Sequence, residues 1–232
     1  MIWYRLANEP LSSSPAVSPW GTAWETGSAI VPLESGNSAR AWVSSLNPLA
    51  QMPPNAQAPG AVVVRSGWST SDRPAWMPGG REALDRFLRA CPAGGEVWLW
   101  PAADHVLSDV PSIVGFLRRH AESDTGPRVR LLFDPASLLA PSMLPRAGDH
   151  LARMFEALAA HPATAAIVLA NVAPGSDIEG SRLTAWHAGA IGARVLAERV
   201  REFAPPASSV VLIDERLDEQ IEALVAHGLR PA

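Results

Sequence analysis

Four short apolar runs limit what this chain can fold into. The clearest is Arg130-Leu131-Leu132-Phe133-Asp134-Pro135, which ends on a carboxylate with a proline behind it. Val62-Val63-Val64-Arg65, Val97-Trp98-Leu99-Trp100-Pro101 and Val210-Val211-Leu212-Ile213-Asp214-Glu215 share the shape. None alternates apolar with polar, so each reads as a strand buried on both faces, the mark of a parallel sheet covered by helices. The polar residue at the end of each run is then carried to the rim of the sheet, where barrel enzymes keep their reactive groups.

Helical patterns separate these runs. Residues 81–90 place Leu84, Phe87 and Leu88 at helical spacing, and Gly94-Gly95 ends the segment. Ser108 or Asp109 can cap a helix from Val110 to about His120, with Pro111 in its first turn. Residues 147–160 repeat the pattern through Leu151, Met154, Phe155 and Leu158. Strands are expected at Val129–Phe133, Ala165–Val172 and Val210–Ile213, with helical regions at Arg182–Phe203 and Leu217–His227. Strand then helix, about five times over, predicts an α/β fold. No Gly-x-Gly-x-x-Gly follows a strand, which removes support for an open dinucleotide sheet. The polar strand ends favour a TIM-type (β/α) barrel. Residues 1–60 are dense in Pro and Ser and carry short apolar pieces at Ile2–Leu6, Ala29–Leu33 and Ala41–Leu46. They predict short strands in an irregular segment, so the barrel is expected to be shortened or incomplete there. The whole chain, 1–232, reads as one barrel domain.

Composition removes several function classes. The net charge is −4, which argues against nucleic acid as a partner. Every basic residue is an arginine, so Schiff-base and Walker-type lysine chemistry are excluded. Cys91 is the one cysteine, so neither an intrachain disulfide nor a thiolate zinc cluster can form. No apolar run approaches the roughly 20 residues of a membrane span, and the first residues lack a signal-peptide pattern. A cytoplasmic protein without a membrane partner is the expectation.

The order of the strand ends resembles the sugar phosphate isomerase/epimerase family, the xylose isomerase-like barrels that also include endonuclease IV. The resemblance covers about residues 60–220. It is carried by Val62-Val63-Val64-Arg65-Ser66-Gly67, Val97–Pro101, Leu131–Ser137, Val168–Asn171 and Leu212–Glu215. Family members hold a divalent metal with carboxylates and imidazoles at these ends, and the metal assists proton transfer between adjacent carbons. Here Asp134 stands where the family has its aspartate. Arg65, Trp100, Ser137 and Val168 stand where ligands are usual. The resemblance therefore implies a divergent member that has lost the usual metal site. No cofactor is expected, and a divalent Mn, Zn or Mg is the secondary expectation. Asp104, His105 and His187 in Trp186-His187-Ala188-Gly189 are nearby substitutes for the missing ligands.

Two readings follow. In the first, an isomerase- or epimerase-like site uses Asp134 and Glu215 as catalytic carboxylates, with Asp214 as the other carboxylate that could take the last position. Arg65 binds an anionic group, because its planar fork matches phosphate or carboxylate. Trp68, Trp100, Asn171 and His187 complete a site for a small sugar-like molecule. Arg65 and Asp134 paired with each other is the structural alternative. In the second, the barrel is a non-catalytic module that binds a ligand or a protein through Trp68, Trp76, Trp98 and Trp100. Trp98 and Trp100 also suit a core, one turned inward and one toward the helices. A homo-oligomer is compatible with both readings. Endonuclease-type chemistry fits least, since His120, His150, His161 and His227 fall in or beside helices and read as solvated.

Overall fold

Strands that are apolar on both faces need cover on both faces, and closing the sheet provides it. The structure is a computed structural model that describes residues 1–7, 26–33, 40–44, 46–53, 61–70, 74–121, 126–173 and 183–230. Eight strands form the closed barrel: β1 (Ile2–Ala7), β2 (Thr26–Pro32), β3 (Ala41–Ser44), β4 (Ala61–Arg65), β5 (Glu96–Trp100), β6 (Arg128–Phe133), β7 (Thr164–Val172) and, after one further strand, β9 (Ser209–Ile213). That further strand, β8 (Leu183–Ala185), pairs antiparallel with the end of β7, as in Asn171 opposite Thr184. The barrel closes where β1 runs parallel to β9, with Trp3 opposite Val210 and Arg5 opposite Leu212. β2 runs antiparallel to both of its neighbours, and every other barrel pairing is parallel.

The expectation of an incomplete barrel is therefore corrected. The short apolar pieces of the first sixty residues supply three strands and the sheet closes on itself. The reversal of β2 explains how so little chain can do this. Two antiparallel steps need only turns, whereas a parallel step needs a long crossover. Trp20 and Trp24 lie outside the described residues.

Five helices are described: α1 (Pro78–Ala90), α2 (Val110–Ala121), α3 (Ala147–Leu158), α4 (Ala193–Phe203) and α5 (Leu217–Ala226). The start of α2 is fixed by Asp109, whose Oδ1 accepts the Ser112 N–H at 2.7 Å. The expected helical region from Arg182 onward is corrected at its start. Leu183–Ala185 is β8, and the helix begins only at Ala193. His120 is also not simply solvated: its Nε2 lies 3.1 Å from Asp85 Oδ1 on α1.

Strand period sorts the core into two shells. Val62, Val64, Val97, Leu99, Leu131, Phe133, Ile167, Leu169, Val210 and Leu212 face the helices and pack with Leu84, Phe87, Phe116, Phe155 and Leu196. Ala61, Val63, Trp98, Trp100, Leu132, Ala166, Val168, Val211 and Ile213 fill the barrel interior. Both Trp98 and Trp100 face inward, which corrects the expectation of one on each side. Residues two apart on a strand share a face. Each buried indole contributes roughly 4–6 kcal/mol of transfer free energy as an upper bound. Two large rings on one strand are matched by the small inward residues Ala41, Ala61, Ala166 and Ala170 on other strands.

Candidate functional site

Period 2 also decides which charges enter the barrel mouths. On β4 the inward positions are Ala61, Val63 and Arg65, and on β5 they are Glu96, Trp98 and Trp100. On β6 they run Arg130, Leu132 and then Asp134 just past the strand. Because these strands are parallel, Arg65, Trp100 and Asp134 meet at the C-terminal mouth. Glu96 and Arg130 meet at the N-terminal mouth.

Trp100 contacts both of the other two. The Arg65 guanidinium lies 3.6 Å from its ring centroid, a stacked cation–π contact. The Trp100 Nε1–H donates to Asp134 Oδ2 at 3.0 Å. Asp134 is fully buried and its acceptor capacity is largely used. Oδ1 accepts the N–H groups of Ala136 and Ser137, each at 3.1 Å. Oδ2 also accepts the Ser137 hydroxyl at 2.6 Å. The carboxylate thus folds the turn after β6 and orients the indole. Among the described residues no ion pair joins Arg65 to Asp134; both contact the indole, the guanidinium over its face and the carboxylate at its N–H edge. Burial lowers the Arg65 pKa, and the nearby Asp134 and Asp104 charges oppose that shift. Apart from its stack, Arg65 makes no hydrogen bond or ion pair among the described residues.

The loops around Arg65 are tied together. Gly67 has φ +91°, a conformation that favours glycine, and a Cβ there would meet Leu49 Cγ at 3.0 Å. Asn47, in the loop after β3, donates its Nδ2–H to the Trp68 carbonyl at 3.0 Å and accepts the Trp68 N–H at 3.3 Å. The Val106 N–H donates to the Gly67 carbonyl at 3.0 Å, and the Ala103 N–H to the Ser137 carbonyl at 2.8 Å. The Trp68 and His105 rings lie 5.9 Å apart. Burial first, then the Arg65 charge, push the His105 pKa down to about 4, against the pull of Asp104. Its Nε2 is 3.8 Å from Asp104 Oδ1. Its Nδ1 is buried and has no hydrogen-bond partner among the described residues, and neither has Ser66 Oγ. A guanidinium and a neutral imidazole therefore stand on adjacent loops of one rim.

The remaining expected site residues are placed elsewhere. Asn171 is buried, and its Nδ2 donates to the carbonyls of Trp186 and Ile191, each at 2.7 Å. Its Oδ1 accepts the N–H groups of Val172 at 2.8 Å and Ile191 at 3.1 Å. It clamps the turn that follows β8. His187 lies on that turn, with Nε2 3.7 Å from Glu219 Oε2 on α5. Glu215 is exposed beyond the end of β9, and its backbone carbonyl accepts the Gln220 Nε2–H at 2.6 Å. Asp214, its neighbour, faces Arg5 at 3.4 Å. The structure brings Arg65, Trp68, Trp100 and Asp134 together. No contact among the described residues joins Glu215, Asn171 or His187 to them.

His105, Asp104 and Asn47 complete the cluster. Asp104 and His105, which follow β5 closely, are among the residues the sequence offers as substitute ligands, but Asn47 carries no sequence signal. Among the described residues, no three His, Cys, Asp or Glu side chains converge on a point that could hold a metal ion. Neither a protein-family model nor a curated protein matches the chain.

Proposed function

We propose that this chain is a TIM-type barrel protein, divergent from the sugar phosphate isomerases and epimerases, whose C-terminal mouth binds a small anionic, sugar-like ligand. The observation that carries this reading is Arg65. Its guanidinium is half-buried, stacked on Trp100, and without a hydrogen-bonded or charged partner within contact distance among the described residues. A desolvated cation is costly unless it is paired, so an oxyanion is the fitting occupant. Trp68 offers an apolar face to the carbon skeleton, with the His105 ring 5.9 Å from it. Asp134 serves as a positioning residue that holds Trp100, and through it Arg65. The divergence consists in this exchange: an arginine–tryptophan stack occupies strand ends where the family keeps metal ligands.

Titration of the protein with pentose and hexose phosphates and with sugar acids, followed by calorimetry, tests the reading. Binding that is lost in Arg65→Gln supports it. Absence of binding in the whole panel, or binding unchanged in Arg65→Gln, overturns it.

A second reading, a non-catalytic protein-binding module, is favoured by one observation. Trp76 is 78% exposed next to Met77, on the segment leading into α1. A bare indole of this kind is a common interface anchor.

A further inference from the structure

The N-terminal mouth of the barrel holds a cavity of about 340 Å³. It is lined by Arg40, Arg130, His161, Thr164, Ser208 and Ser209, with apolar Ala166 and Ile167 forming part of its wall. That volume lies at the lower end of the range that small-molecule sites occupy, roughly 300–1,000 Å³. It would hold a ligand of a few carbons with one or two charged groups.

Its charges are mostly positive. Arg130 points inward on β6, and burial lowers its pKa, as do the charges of Arg128 and Arg40, while Glu96 opposes them. Its Nη2–H donates to the Thr164 carbonyl at 2.9 Å and its Nε–H to the Ala163 carbonyl at 3.4 Å. These bonds fix the guanidinium, and among the described residues no hydrogen bond occupies Nη1. Arg40 lies over the Trp98 ring, 5.3 Å from guanidinium carbon to centroid. The one carboxylate among the groups that act on Arg130 is Glu96, and it already accepts the Trp98 indole N–H. His161 adds no counter-charge: its Nδ1 accepts the Ala163 N–H at 3.1 Å, and burial and Arg118 lower its pKa.

We propose that this cavity is a second ligand site, which takes a small dianion between Arg40 and Arg130. The shared chemistry is that of a phosphomonoester or a short dicarboxylate, since the two guanidinium charges that line the cavity match two negative charges. The rim hydroxyls and the apolar strand wall accommodate the carbon chain. The site lies at the opposite end of the barrel from Arg65 and does not depend on the reading given to that residue.

The experiment is calorimetric titration with inorganic phosphate, glycerol 3-phosphate and succinate, on the full chain and on three variants. In the Arg65→Gln background, which removes any anion held at the C-terminal mouth, Arg40→Gln and Arg130→Gln are each expected to weaken the remaining binding at least tenfold. Arg130→Gln removes two bonds to the backbone and can unfold the chain. Arg40→Gln changes an exposed side chain and decides the matter if that happens. Phosphates binding without succinate, or the reverse, identifies the dianion and supports the site. Absence of binding by all three probes overturns the proposal. So does binding that survives Arg40→Gln in that background, or that is lost in Arg65→Gln alone, which would place the anion at the C-terminal mouth.

Discussion

Asp134→Asn separates a positioning carboxylate from a free one. Asp134 accepts four hydrogen bonds: two from backbone N–H groups on Oδ1, and two from Ser137 Oγ and Trp100 Nε1 on Oδ2. Asparagine fits the same space. Its oxygen must face the two N–H groups of the turn, so its NH2 faces Ser137 and Trp100. The Ser137 hydroxyl can rotate and accept, but the indole has only a donor to offer. One buried N–H is therefore orphaned, at about 1–3 kcal/mol, and the remaining bonds lose their charge assistance. The expected destabilisation is about 2–4 kcal/mol, read as a shift in the urea midpoint followed by far-UV circular dichroism. Trp100→Phe provides the control. It costs stability in the native background, but about 1–2 kcal/mol less in Asp134→Asn, because the orphaned N–H is gone. Coupling below about 0.5 kcal/mol, or an Asp134→Asn midpoint equal to wild type, would refute the role of the carboxylate in holding the indole.

Two further outcomes follow from single residues. The His105 pKa falls from the ordinary 6.5 to about 4 in the folded state, so between those values the unfolded chain binds more protons. Stability present above pH 6.5 should therefore be lost as pH falls toward 4, by on the order of 3 kcal/mol, and urea midpoints at pH 7 and 4.5 should show a smaller loss in His105→Asn than in wild type. Equal losses in the two proteins would sink this expectation. A Cβ at Gly189 would lie 2.1–2.4 Å from the side-chain atoms of Asn171. Gly189→Ala should displace that clamp and cost roughly 2–4 kcal/mol in a thermal melt, and a melting temperature within a degree of wild type would show that the turn after β8 gives way freely.

Most barrel strands and all five helices were legible because they follow local rules. Arg128–Phe133 and Ser209–Ile213 are apolar runs bounded by polar residues, and Ala147–Leu158 buries Leu151, Met154, Phe155 and Leu158 at helical spacing. The region from Leu183 to Ile191 was misread as helix. Its turn is held by the Asn171 side chain from another strand, and no neighbouring residue announces that. The candidate site was half legible. Arg65, Trp100 and Asp134 are strand ends, and strand ends were where to look. His105 is legible as a residue close behind β5, whereas Asn47 joins them through loop contacts that have no sequence period.

The sequence by itself determined the alternation of apolar strands with amphipathic helices, and hence a covered α/β sheet, because those patterns are set by the geometry of one element at a time. It also determined that these residues offer no lysine side chain and that Cys91 cannot form an intrachain disulfide. Only the tertiary structure decided that the sheet closes through an antiparallel β2, that Trp98 and Trp100 both fill the interior, and that Arg65 and Asp134 both contact Trp100. Each of these depends on which strands become neighbours, and strand pairing is a contact between distant residues that no local pattern encodes.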